Sequence, residues 1–253
     1  LSRSGIRATL QQLEALLQSG TDWCLSGVLE HCIEHPRKLP VAWQNGQALA
    51  TAASDWTVRV TPAQLADCGL PPDTPALWHD KAAWVKPASL VRAWLATPGV
   101  VWRGDAEVSR LASRGDVWQI LDASGQELGS AELVVLAAGH LPSALAASTG
   151  LSHPLALQAV RGQVSFALQA PGQADTLPRF PINGHGSLVP TVPLAKGLAW
   201  VTGSTFERDS TSVEVQPDDG QRNFEKLQTL LPTIAQALTP AFAAGQVHGW
   251  VGI

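Results

Sequence analysis

Val134-Val135-Leu136-Ala137-Ala138-Gly139 is the stretch on which the fold class turns. An unbroken apolar run reads as a strand buried on both faces, as in a parallel sheet covered by helices. Small residues at the carboxyl end of such a strand let the backbone approach a ligand, and open α/β sheets bind ligands at these ends. A buried strand closed by an ordinary glycine turn has the same letters, so the flanks must decide. Upstream, Lys86-Pro87-Ala88-Ser89 enters a helix expected from about 88 to 97 and stopped by Pro98-Gly99. A strand Val100-Val101-Trp102 follows, then 106–111, then Val117–Leu121, with a turn at Gly125. Helix, strand, hairpin and apolar strand in that order form an α/β pattern.

The rest of the chain reads outward from this centre. Ile6, Leu10, Leu13 and Leu17 place one apolar face on a helix over 4–19. Short strands are expected at Trp23-Cys24-Leu25 and Gly27-Val28-Leu29, and Asn45-Gly46 signals a hairpin. Thr61 caps a short helix that opens on Pro62 and runs to Asp67. Downstream, antiparallel strands are expected at 162–168, 187–192 and 198–205. A helix over 219–238 is kinked or divided by Pro232, and a last strand covers 247–253.

Composition narrows the class. The 253 residues are 45% hydrophobic and 15% charged, with a formal net charge of -4, so the chain is globular and lacks the basic excess of a general nucleic-acid binder. Three cysteines, Cys24, Cys32 and Cys68, form no CxxC pair, which points to a reducing cytoplasm. No apolar run has the length to cross a bilayer, and no membrane role is expected. The absence of Met and the apolar ending Gly249-Trp250-Val251-Gly252-Ile253 predict an internal fragment of a longer protein.

The order Trp84-Val85-Lys86-Pro87, helix, Gly99–Trp102, Ala106-Glu107-Val108, hairpin, Val134–Gly139 resembles the centre of the D-amino-acid oxidase-like flavoproteins. Val160-Arg161-Gly162-Gln163-Val164-Ser165, Asn183–Pro190, Gly203-Ser204-Thr205-Phe206-Glu207-Arg208-Asp209 and Gly249–Gly252 are similar to segments of the MnmC family of bifunctional tRNA-modifying enzymes. Together these segments cover essentially the whole chain. The resemblance implies an FAD-binding Rossmann-like domain, lacking its first βαβ unit, with a mixed or antiparallel-sheet substrate domain. It assigns residues 1–20, 82–150 and 246–253 to the FAD domain, and 21–81 and 151–245 to the substrate domain. It implies FAD contacts at Val108, Ala137, Ala138, Gly139 and Gly252, and catalytic roles for Arg161 and Gln163. It also implies a tRNA substrate whose carboxymethylaminomethyl group on the wobble uridine is oxidised to the aminomethyl form. A methyltransferase domain using S-adenosylmethionine, on the N-terminal side and outside this chain, is the implied partner.

The sequence departs from that family in three places. No GxGxxG follows a strand, the Arg expected after Ile253 lies beyond the end, and Ser187 stands where the family often has Tyr. Two alternatives therefore stay open: a free-standing oxidase of a small amine such as glycine or sarcosine, and a flavin-fold relic or binding module without turnover.

Other signals read more plainly. His31, Cys32 and His35 lack a third ligand at useful spacing and the helical context that zinc pairs need. Gly184-His185-Gly186-Ser187 does not fit a nucleophile elbow. Glu207-Arg208-Asp209 reads as a solvated turn, and Arg3, Arg7, Arg37, Lys38 and Arg179 read as ordinary surface charge.

Overall fold

The computed structural model describes residues 2–31, 56–139, 143–148, 150 and 157–253. The Asn45-Gly46 hairpin and the side chains of Cys32, His35, Arg37 and Lys38 lie outside them. The chain divides into two compact units. Unit 1 comprises Leu1–Thr97, Gly162–Thr205 and Glu214–Gly252, and unit 2 comprises Pro98–Arg161, Phe206–Val213 and Ile253. These bounds do not coincide with the domain limits expected from the sequence. The helix after Lys86 falls in unit 1, whereas the hairpin that follows it falls in unit 2.

In unit 1 local chemistry places the short elements. Helix α1 covers Ser2–Leu16, with Leu13 as its buried anchor. Strands β1 (Trp23–Cys24), β2 (Val28–His31) and β3 (Thr57–Arg59) follow. Helix α2, Pro62–Asp67, opens on the expected cap: the Thr61 side chain accepts from Gln64 N while the Gln64 side chain accepts from Thr61 N, which satisfies two amides that the helix leaves orphaned. Strands β4 (Ala76–His79) and β5 (Trp84–Val85) lead into α3, Pro87–Leu95.

The main sheet takes its long strands from the second half of the chain: β9 (Val160–Leu168), β10 (Ile182–Gly184), β11 (Gly186–Leu194), β12 (Gly197–Gly203) and β14 (His248–Gly252). Its order is β9-β12-β11-β10-β2-β4-β3, with β14 on the other edge of β9. Every pair is antiparallel except β2 with β10. Helices α5 (Pro217–Leu230) and α6 (Pro232–Ala243) are separate, because Pro232 has no N–H to continue α5 but suits a first helical turn. Leu227, Leu230, Ile234 and Leu238 pack on one sheet face against Leu29, Ile182, Leu188 and Trp200. Each such buried side chain contributes about 1.5–3 kcal/mol of transfer free energy.

Unit 2 holds the meander β6 (Arg110–Arg114), β7 (Val117–Leu121) and β8 (Glu127–Ala131), the short helix α4 (Ser143–Ser148), and β13 (Glu207–Arg208). Its core is small: Leu111 and Leu145, with Val108, Trp118, Ile120 and Val134 half-buried around them. Two expectations are corrected here. Residues 133–137 and 100–102 form no strand, and Leu133, Val135 and Val101 are exposed at 78%, 78% and 93%. An apolar run becomes a strand only when a neighbour takes up its backbone N–H and C=O groups. Among the described residues no strand pairs with either run.

His31 on β2 is a fully buried titratable group of unit 1. It is 0% exposed, and among the described residues neither ring nitrogen makes a hydrogen bond at ordinary distance. Burial pushes its pKa below 6.5, opposed in part by the Leu230 backbone. Above that pH the ring is neutral folded and unfolded. Below it the unfolded chain takes up a proton that the folded core resists, so stability falls as the pH drops. Urea unfolding midpoints between pH 8 and 5 are expected to fall below pH 6.5, by at most about 1.4 kcal/mol per pH unit from this group, and the His31→Leu variant is expected to show a shallower fall.

Candidate functional site

Strand β9 carries both residues to which the sequence assigns catalytic roles. Gln163 is buried, and its side-chain amide is paired with backbone: Nε2 donates to the Gln216 carbonyl at 3.0 Å, and the Gln216 N–H donates to Oε1 at 2.9 Å. Its own backbone is equally engaged. The Gln163 N–H donates to Thr205 Oγ1, and its carbonyl accepts from Thr205 N at 3.1 Å and from Asn223 Nδ2 at 2.9 Å. Asn223 Nδ2 also reaches Ser165 Oγ at 3.1 Å. One residue thus holds β9, the segment after β12 and the entry to α5 together.

Arg161, in unit 2, is 0% exposed. Its Nε donates to the Ser212 carbonyl at 3.0 Å, and Nη1 lies 3.7 Å from Glu207 Oε2. Glu207 stands opposite Arg161 in the β13–β9 pairing. Asp209, at φ +61°, donates its N–H to the Ala159 carbonyl, and its carboxylate accepts from Gln158. Glu207-Arg208-Asp209 is therefore pinned to the chain around β9 by its backbone, while Arg208 and Asp209 stay exposed as a solvated turn requires. Its partners, 46 to 51 residues away, leave no local trace.

The sheet face opposite α5 and α6 carries a different chemistry. Val164, Phe166, Val189 and Val201 are half-buried there, and Trp250 is 64% exposed. The register sets one row across it: Trp250 opposite Val164, Val164 opposite Gly203, Gly203 opposite Ser187, Ser187 opposite Asn183, and Asn183 opposite Glu30. Cross-strand partners share a face, so the row runs from aromatic to polar. The Trp250 ring lies beside Gly252, where an added Cβ would sit 3.1 Å from it. Gly184, at the turn before β11, has no room for a side chain: an added Cβ would collide with the His31 carbonyl oxygen. His185 beside it is exposed.

On the helix side, a cavity of about 420 Å³ is lined by Gln163, Ser165, Gln221, Phe224, Phe242 and His248, among others. Lys226 on α5 donates to the Ser204 carbonyl at 2.7 Å. Burial lowers its pKa, with Arg222 adding to the effect and Asp219 opposing it. Arg3 and Arg7 lie over the Trp56 ring at 5.8 and 5.3 Å, and exposed Arg179 pairs with Asp67 at 3.2 Å.

In unit 2, Val108 packs half-buried against the small core. Ala137, Ala138 and Gly139 are exposed, with Gly139 at φ +61°, and an added Cβ on Gly139 would meet only the Ile253 carbonyl at 3.7 Å. This small-residue turn leaves its backbone open to a ligand. Among the described residues no group of His, Cys, Asp and Glu is placed to hold a metal, and no helix is long and apolar enough to cross a membrane.

Thr205, inside the Gly203–Asp209 segment, completes the Gln163 network with Asn223 and Gln216. Their pairing is set by the docking of α5 on β9. Gln163→Leu strands the Gln216 N–H and C=O, and is expected to lower stability by about 2–4 kcal/mol in urea unfolding. Combined with Asn223→Leu, its loss is expected to be less than additive, because both variants break the same network.

The whole chain, residues 1–253, matches the family model described as FAD dependent oxidoreductase. It is 63% identical over its full length to the tRNA 5-methylaminomethyl-2-thiouridine biosynthesis bifunctional protein MnmC of Polaromonas naphthalenivorans (strain CJ2), of which it spans 40%. It is 46% identical over 99% of its length to the protein of the same name from Delftia acidovorans, of which it spans 41%. The chain thus covers about two fifths of these relatives. Among solved structures, glycine oxidase from Geobacillus kaustophilus shares the fold at a TM-score of 0.68 and 18% identity, over 99% of this chain and 64% of that one. L-proline dehydrogenase from P. horikoshii does so at 0.70 and 12%, over 99% and 65%.

Proposed function

The chain belongs to the FAD dependent oxidoreductase family, and from that membership we propose that it is part of the flavin domain of a bifunctional tRNA-modifying enzyme. The reaction is oxidation of the carboxymethylaminomethyl side chain on the wobble uridine of tRNA. The C–N bond of the secondary amine is oxidised to an imine, and water then releases glyoxylate and leaves the aminomethyl group. The observation that carries this reading is the 63% identity along the full chain to a protein of that name. The incomplete Rossmann-like character of the FAD-binding part, the methyltransferase partner using S-adenosylmethionine, and a cytoplasmic location belong to the same proposal.

The open turn Ala137-Ala138-Gly139 fits an FAD dinucleotide, since exposed small residues leave the backbone accessible. With Val108 it forms the proposed cofactor contact of unit 2. When bound, FAD supplies the hydride acceptor. In unit 1 the row from Trp250 to Glu30 is the proposed substrate surface, with apolar groups that exclude water beside polar groups that orient. Arg161 and Gln163 serve this reading as positioning residues: their polar groups hold the 203–216 segment against β9.

The test uses the complete reading frame that contains this chain, loaded with FAD under anaerobic conditions. Undermodified tRNA is expected to bleach the visible flavin absorbance, and glycine in a parallel cuvette is expected not to. Bleaching by glycine alone overturns the tRNA reading in favour of a small-amine oxidase.

A further inference from the structure

The corner after β12 is held more firmly than a surface turn requires. The chain leaves the strand at Gly203 with φ +138°, a conformation that residues with side chains rarely adopt, and an added Cβ there would lie 3.2 Å from the Asn223 amide. Three consecutive residues are then fixed from three elements of unit 1. The Gly203 carbonyl accepts from Ser187 Oγ on β11 at 2.8 Å, and the Ser204 carbonyl accepts from Lys226 Nζ on α5 at 2.7 Å. Thr205 exchanges bonds with the Gln163 backbone on β9, its N–H donating and its Oγ1 accepting, both at 3.1 Å. The half-buried Lys226 stem reaches the corner past Gly186, where an added Cβ would lie 3.4 Å from Lys226 Cβ. Holding a long, flexible side chain in one geometry costs conformational entropy. Constraint of this kind gathers where the backbone must present a group in one orientation.

The group presented is the Ser204 hydroxyl. An added Cβ on Gly162 would lie 3.8 Å from Ser204 Oγ and 2.9 Å from the Thr205 carbonyl oxygen, so the corner folds over Gly162. Gly162 alternates with the inward Gln163, which places the Ser204 side chain on the face opposite α5 and α6. Ser204 is half-buried, and among the described residues its Oγ has no hydrogen-bond partner. Gly252 stands opposite Gly162 in the β14–β9 pairing, and the Trp250 ring lies against Gly252 while remaining 64% exposed. Hydroxyl and indole thus sit on neighbouring strands, about 5 Å apart in the sheet. Neither is charged, so the pair suits a planar ring with polar edges better than a phosphate. An open indole face stacks on any base, and a hydroxyl that both donates and accepts matches the adjacent N–H and C=O groups of a uracil edge.

We infer that Ser204 and Trp250 hold the uracil ring of the substrate nucleoside, Trp250 by stacking and Ser204 by a hydrogen bond to the ring edge, with Lys226 as the positioning residue for Ser204. The inference rests on the tRNA reading above and names contacts of that same site. Lys226 acts through the Ser204 carbonyl, whose capture sets where the hydroxyl points.

The test follows anaerobic flavin reduction in the FAD-loaded complete protein over a range of undermodified tRNA concentrations, which separates half-saturation from the limiting rate. Trp250→Leu is expected to raise the half-saturating concentration about tenfold, through the loss of one base stack. Trp250→Phe, which keeps an aromatic face, is expected to stay within about threefold of wild type. Ser204→Ala is expected to raise it about fivefold, as for one lost hydrogen bond. Lys226→Met is expected to match Ser204→Ala, to add nothing to it in the double variant, and to be recovered in part by Lys226→Arg. Bound flavin, its visible spectrum and the unfolding midpoint are recorded on the same samples. Equal losses for Trp250→Leu and Trp250→Phe, additive losses for Ser204→Ala and Lys226→Met, a flavin spectrum altered by Trp250→Leu, or losses that track lost flavin or stability would each overturn the inference. Wild-type flavin that tRNA fails to bleach sinks the tRNA reading and the inference with it. Wild-type bleaching with unaltered half-saturation in the variants sinks the inference alone.

Discussion

The bond pair between the Gln163 side chain and the backbone of Gln216 is the constraint on which unit 1 depends. A side-chain amide here substitutes for a strand partner. It lets β9 pair with β12 and β14 through its backbone while its side chain captures the entry to α5. With that entry set, Asn223 reaches the Gln163 carbonyl and Ser165, and Leu227 and Leu230 fall onto the sheet core. A buried polar network of this kind is stable only when its members are satisfied together, which makes it intolerant of single losses.

The two faces of the sheet consequently serve different ends. On the helix face burial is nearly complete, and it provides most of the stabilisation. On the other face half-buried apolar side chains give way to Ser187, Asn183 and Glu30 along one register. Rigid strands hold these groups at fixed spacing. Unit 2 is organised differently, with a small core, an antiparallel meander and an exposed small-residue turn at 137–139.

Much of the local structure was legible in the sequence. Thr61-Pro62 started a helix, Pro232 divided another, and 162–168 made a strand, although the inward turn of Gln163 and Ser165 was not legible beside the apolar Val164 and Phe166. The apolar runs at 100–102 and 133–137 were misread, because apolarity signals burial but not the presence of a ladder partner. Gln163 and Arg161 were singled out by the segment that contains them. Their engagement with Gln216, Ser212 and Glu207 was not legible, since those partners lie 46 to 53 residues away.

The sequence by itself determined most of the element types, the mixed α/β class and the family, because caps, proline breaks and hydrophobic periodicity act within a few residues and motif order survives along the chain. Only the tertiary structure decided which polar groups are spent inside the protein and which remain at its surface. Gln163 and Arg161 were drawn inward by hydrogen bonds to distant backbone, whereas Glu30 and His79, partly exposed, were brought within 2.8 Å of each other by strands that meet only after folding. Hydrogen-bond geometry demands approach within about 3 Å, and for residues tens of positions apart the arrangement of the sheet alone sets that distance.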